Sequence, residues 1–183
     1  MRKTLSTLII IFLAVTTSLT IAYAGKISRT HKVKTANTNL DVDCTSPDSI
    51  TSFAQSLIGV HYRSGSSNPL RGFDCSGFVS YVFKNFNFNV PRSSCEFISI
   101  GKKIRLEDAK PGDIILFTGT KKHARKIGHI GIVMHNDIDG FTFIHSTSGK
   151  EHGVTITSMD KNYRHRFVQI IRLLKQNNLP QAV

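Results

Sequence analysis

The sequence predicts an α+β fold: helices first, then an antiparallel sheet with those helices packed on it. Three observations carry this. Apolar residues recur at helical spacing up to about residue 100, then give way to short apolar runs bounded by turn residues. Helix starts are read at Ser46-Pro47, at Cys75 and at Pro91. Helices followed by a run of strands is the α+β order.

The first 24 residues stand apart from that fold. Arg2 and Lys3 precede the apolar run Leu8 to Val15, and Ala22-Tyr23-Ala24 supplies small residues at a cleavable spacing. This reads as a secretory signal cut after Ala24, with the protein secreted or periplasmic. The apolar run is short for a membrane span, which needs about 20 such residues, and no stable membrane anchor is expected. Residues 25–45 are polar and basic without a hydrophobic period, so they read as a flexible linker. The folded domain is expected over 46–175, with a tail over 176–183.

Within the domain, Ser46-Pro47-Asp48 opens a helix: a capping Ser, Pro at the first position, then an acid suited to the helix dipole. Ile50, Phe53, Ala54 and Leu57 form its apolar stripe, and Gly59 ends it. Ser64 to Gly72 is a loop rich in Gly, Ser, Asn and Pro. A second helix runs from Cys75 to about Lys84, with Phe78, Val79 and Val82 on one side. Pro91-Arg92-Ser93-Ser94 opens a short third helix to about Ile100. Strands follow at Asp113 to Phe117 after a Pro111-Gly112 turn, at Ile130 to Met134, at Phe141 to His145 after Asp139-Gly140, at Val154 to Ile156, and at Phe167 to Leu173.

Composition narrows the function classes. The chain has 183 residues, is 40% hydrophobic, and carries a formal charge of +12. Nucleic-acid binders are basic, but no helix-turn-helix, RRM or zinc-finger pattern is present. With an export signal, an anionic cell envelope is the better partner. The basic segment Lys121, Lys122, Arg125, Lys126 reads equally as a wall contact or a solvated loop. Three cysteines occur: Cys44, Cys75 and Cys95. The odd count leaves at least one free thiol or an intermolecular bond. Cys75 is taken as that one, with Cys44 and Cys95 either paired or inert.

Cys75 stands in Phe73-Asp74-Cys75-Ser76-Gly77, where a Gly/Ser-rich loop enters an apolar helix. A thiol there meets the positive end of the helix dipole, which lowers its pKa and favours the thiolate. The free N–H groups of the same turn suit an oxyanion. A lone cysteine is more commonly a small buried hydrophobe. Two histidines shift the reading. His129 opens one strand in Gly128-His129-Ile130-Gly131, and His145 ends the next in Ile144-His145-Ser146. A nucleophilic thiol needs a base, and the base needs an orienting partner. His129 and His145 fit those roles.

These segments resemble the NlpC/P60 family of papain-like cell-wall cysteine peptidases, in order, from about Ser49 to Leu173. The matching elements are Gly59 to Gly65 around Tyr62, Phe73 to Val79, Pro91-Arg92-Ser93-Ser94, Pro111-Gly112-Asp113 before Ile114 to Phe117, Gly128 to Val133, and Ile144-His145-Ser146. The resemblance implies a peptidoglycan hydrolase with a Cys75-His129-His145 triad. It cuts stem peptides at a γ-D-glutamyl–diaminopimelate or D-alanyl–diaminopimelate bond. Tyr62 is then placed near the oxyanion or substrate. Asp74 and Ser76 line the pocket for the peptide's amino end or acidic residue, and Arg92 is assigned a structural role. No metal or cofactor is implied, no nucleic acid is a partner, and a monomer is expected. One departure is Ser64, standing where the family usually carries a bulky ring. An amidase, an acyltransferase or antibacterial effector on the same fold, or a non-catalytic wall-binding module, are the alternative readings.

Overall fold

The structure, a computed structural model, describes residues 45–121 and 123–178. The expected signal segment, nearly all of the linker, Cys44 and residues 179–183 lie outside them.

Helix α1 (Pro47–Gln55) starts where its signals place it. The Ser46 hydroxyl accepts the N–H groups of Asp48 (3.1 Å) and Ser49 (3.3 Å). The loop expected from Ser64 to Gly72 contains a two-residue hairpin, β1 (Ser67–Asn68) with β2 (Gly72–Phe73). Helix α2 (Cys75–Asn85) follows at once, burying Phe78, Val79, Val82 and Phe83. The third helix predicted after Pro91 is a 3₁₀ helix, Ser94–Ser99. It anchors Phe97 in the core, a burial worth roughly 1.5–3 kcal/mol.

The remainder is a six-stranded antiparallel sheet. Its strands are β3 (Lys102–Ile104), β4 (Ile114–Thr118), β5 (Ile127–Asp137), β6 (Gly140–Ser146), β7 (Val154–Ser158) and β8 (Phe167–Arg172), in the order β3-β8-β4-β5-β6-β7. A short helix, α3 (Lys161–Arg166), joins β7 to β8. Side chains alternate across the sheet. Ile114, Leu116, Ile130, Ile132, Ile144 and Ile171 meet α1 and α2 on one face. Ile115, Phe117, Val133, Phe143 and Ile170 form a second core on the other, with Tyr163 of α3 packed on it. The sheet is therefore covered on both faces, rather than on one as the helix-first order suggests.

The Pro-Gly-Asp turn before β4 is tied to β8. Asp113 is fully buried, and Arg172 donates to it from Nη2 (2.7 Å) and Nε (2.9 Å). Asn177 donates to Asp113 (3.3 Å) and to the Pro111 carbonyl (2.9 Å). Asn177, assigned to the tail by sequence, is thus a buried part of the domain, because its amide completes the hydrogen bonding of the Asp113 carboxylate.

Candidate active site

Cys75 is the first residue of α2. Asp74 caps the helix, its Oδ1 accepting the Gly77 N–H at 2.7 Å. The cap leaves the Cys75 and Ser76 N–H groups without intrahelical acceptors. Gly77 is required by contact: a Cβ there would strike the Ser66 carbonyl of the preceding loop. That carbonyl also accepts the Asp74 N–H at 2.9 Å, so the loop and the helix start are locked together. Ser146 of β6 donates to the Phe73 carbonyl at 2.7 Å and ties the same turn to the sheet.

The two histidines come from neighbouring strands. Continuing the β5–β6 register past Ile132↔Ile144 puts His145 opposite Gly131 and His129 on the diagonal, a separation that ring side chains span. A Cβ on Gly131 would lie 2.9 Å from Phe143 and 3.3 Å from His145 Cβ, so this glycine makes room for the pair. His129 Nε2 lies 2.7 Å from His145 Nδ1, and His145 Nε2 lies 2.9 Å from the Thr157 hydroxyl on β7. If His129 Nδ1 is to accept a proton, its Nε2–H must donate to His145 Nδ1. His145 then carries its proton on Nε2 and donates it to Thr157. In that tautomer every proton in the row points away from His129 Nδ1.

Cys75 and His129 line one cleft of about 390 Å³, together with Tyr62, Thr120, Tyr163 and Arg166. His145 is fully buried behind it. Tyr163 packs edge-on to His145, with ring centres 5.8 Å apart, and lies 6.2 Å from His129. A larger hollow of about 670 Å³ at the β3–β8 edge holds no nucleophile. Its Arg105, Lys110 and Arg172 are already engaged by Asp108, the Asn177 carbonyl and Asp113.

Burial, then the neighbouring charges of His145 and Arg166, holds His129 down at about 3. Burial, then Arg166, holds His145 at about 4. Both rings are neutral at pH 7. The thiol departs from the lowering expected at a helix start. Burial and the adjacent Asp74 carboxylate raise the Cys75 pKa, outweighing the N–H groups of Ser76, Cys75 and Ile130 that pull it down. The resting pair is a neutral thiol beside a neutral imidazole.

Tyr62, partly buried, has its hydroxyl pKa raised by burial and by the nearby Cys75 and Asp74, while a hydrogen bond with Ser64 opposes this. Ser64 therefore supplies a polar partner for Tyr62 where a ring is usual. Asp74 does not stand as an open carboxylate. Arg92 holds both of its oxygens, at 2.6 and 2.9 Å, and also donates to Ser76 Oγ at 3.0 Å. Arg92, 40% exposed, is thus part of the Asp74-Ser76 corner. Thr157, Tyr163 and Arg166 were not singled out by sequence; the i, i+3 spacing of Tyr163 and Arg166 on one helical turn was the available signal. Among the described residues, no three His, Cys, Asp or Glu side chains are grouped to hold a metal ion.

The NlpC/P60 family profile matches residues 59–172. The "Gamma-DL-glutamyl hydrolase" of Bacillus subtilis (strain 168) is 37% identical over 121 residues, covering 64% of this chain and 27% of that protein. The "Murein DD-endopeptidase MepS/Murein LD-carboxypeptidase" of Escherichia coli (strain K12) is 34% identical over 122 residues, covering 65% of this chain and 58% of that protein. The chain thus spans less than two thirds of either relative. A crystal structure of an NlpC/P60 family protein from Bacillus cereus superposes with a TM-score of 0.62 at 24% identity, over 71% of this chain and 41% of that one.

Proposed function

Because the chain belongs to the NlpC/P60 family, we propose that it is a cysteine peptidase that hydrolyses amide bonds in the stem peptides of peptidoglycan. The observation that carries this reading is the hydrogen-bonded row His129-His145-Thr157 at a cleft that also holds a helix-start thiol. The Bacillus relative's name favours a γ-glutamyl linkage as the bond cut, and the D-alanyl–diaminopimelate bond is the alternative. The leader-like first 24 residues support export to the wall.

Cys75 Sγ attacks the amide carbon as its proton passes to His129. A C–S bond forms and the carbonyl becomes an oxyanion, received by the free N–H groups at Cys75 and Ser76 and by the Tyr62 hydroxyl. His129 returns the proton to the amide nitrogen, the C–N bond breaks, and the amine leaves. Water then gives a proton to His129 and attacks the thioester, releasing acid and thiol. Deprotonation coupled to attack suits a thiol that rests protonated. Tyr62, Asp74 and Ser76 serve substrate binding, with Arg92 fixing the orientation of the last two.

Digestion of purified peptidoglycan, followed by mass spectrometry of the released muropeptides, tests this. Wild-type protein releases amide-cleaved fragments, and Cys75→Ala lowers that release by roughly 10³-fold or more. Undiminished release by Cys75→Ala ends the reading.

A further inference from the structure

Arg166, the last residue of α3, has no role in the chemistry just described. Its guanidinium carbon lies 5.0 Å from the centre of the Tyr163 ring and 5.9 Å from that of Phe117. These cation–π contacts hold the group over the two rings. Its Nε is buried and has no hydrogen-bond partner. The side chain lines the Cys75-His129 cleft and also a neighbouring hollow of about 360 Å³ beside Lys121 and His123. Neither cavity has an Asp or Glu in its wall. Arg92, Arg105 and Arg172 each hold a carboxylate; Arg166, which lines the cleft, forms no ion pair among the described residues.

A guanidinium held over two rings, with an unused buried donor, in a cleft without acids, is a half-built anion site. The geometry points to Arg166 as the subsite for a free carboxylate of the stem peptide beside the scissile amide, so that acids are cleaved in preference to their carboxamides. This rests on the peptidase reading above and names what the cleft selects. A γ-linked glutamyl residue carries such a group, its α-carboxylate, four bonds from the scissile carbon; diaminopimelate offers another on the amine side. A bound carboxylate also offsets the positive charge that Arg166 sets beside His129 and His145. The correct substrate thereby makes the base more basic as it binds.

The test uses matched stem peptides with all carboxylates free, with the glutamyl α-carboxylate amidated, or with diaminopimelate amidated. Wild-type protein is expected to cleave the free acid roughly 10- to 100-fold better, in kcat/KM, than one of the two amides, and the poorer amide identifies which carboxylate is read. In Arg166→Gln that ratio falls toward one. Arg166→Lys, which keeps charge but not the planar fork, falls between. Thermal melts check that each variant is folded. A folded Arg166→Gln protein with the wild-type acid preference overturns the assignment, as does a wild type indifferent to amidation. Calorimetric binding of the free-acid peptide to Cys75→Ala is compared with binding to the Cys75→Ala, Arg166→Gln double variant. Weaker binding by the double variant supports the subsite and equal binding overturns it. If wild-type protein cleaves none of the peptides, the hydrolase reading fails and this binding comparison decides the subsite by itself.

Discussion

Two aspartate-arginine pairs of similar design do different work in this molecule. Asp113-Arg172 and Asp74-Arg92 are both two-pronged, each with contacts of 2.6 to 2.9 Å. The first is enclosed: the side chains are 0% and 6% exposed. Asn177 and the Lys110 N–H also use its carboxylate, and Arg172 also donates to the carbonyls of Asp108 and Asn177. The second lies nearer to water, with Arg92 40% and Asp74 14% exposed, and Arg92 also donates to Ser76, next to Cys75. The same chemistry fastens the sheet to the C-terminal segment in one place and shapes the surroundings of Cys75, the proposed nucleophile, in the other. Position relative to water separates the two, since a buried ion without its partner is costly and an exposed one is not.

This comparison can be broken by experiment. The largest effect is expected at the enclosed pair: Asp113→Ala strands the buried Arg172 charge and costs about 3–5 kcal/mol of stability, read by urea unfolding. A loss under 1 kcal/mol there would remove the contrast. At the open pair, Arg92→Gln is expected to cost no more than about 1 kcal/mol of stability yet lower kcat/KM on stem peptides roughly tenfold, because Asp74 and Ser76 lose the group that orients them. A stability loss as large as that of Asp113→Ala would place Arg92 with the fold instead.

The smallest effect concerns pH. Alkylation follows the thiolate, and the Cys75 thiol ionises above its ordinary range. Inactivation by iodoacetamide should therefore keep climbing past about pH 9, above the ordinary cysteine value, rather than level off near neutrality. Arg92 and the Cys75 thiolate attract one another. Removing that cation shifts the climb to still higher pH, by less than about one unit, while Arg172→Lys at the distant pair leaves it unmoved. A profile already flat at pH 7 would show a preformed thiolate.

Much of this was legible before the fold was known, for identifiable reasons. Helices α1 and α2 announce themselves through their apolar stripes, and α1 also through its capping Ser46. Strands β4 and β6 are apolar runs that follow turns, and β8 is a largely apolar run directly after α3. Strand β5 is longer than its apolar centre because polar residues such as His135 and Asn136 occupy its outer half. What was hidden lacked local pattern. The edge strand β3 is three residues, two of them lysine, and α3 reads Lys-Asn-Tyr-Arg-His-Arg with no stripe at all. Cys75, His129 and His145 stood in recognisable motifs. Thr157 enters the site only through the pairing of β6 with β7, and Arg166 through the packing of α3 on the sheet, for which its spacing from Tyr163 was the one local signal.

The diagonal row His129-His145-Thr157 has one more consequence. It spans three strands, and in a strand the facing of every side chain reverses with a shift of one residue. A slip of β6 against β5 would turn His145 toward the opposite core and bring Ile144 into its place. Composition, charge and the overall count of strands would be unchanged, yet the row would be gone. Under the proposed mechanism, turnover by this domain is thus a gauge of correctly paired strands, reporting on the alignment of β5, β6 and β7 to a single residue.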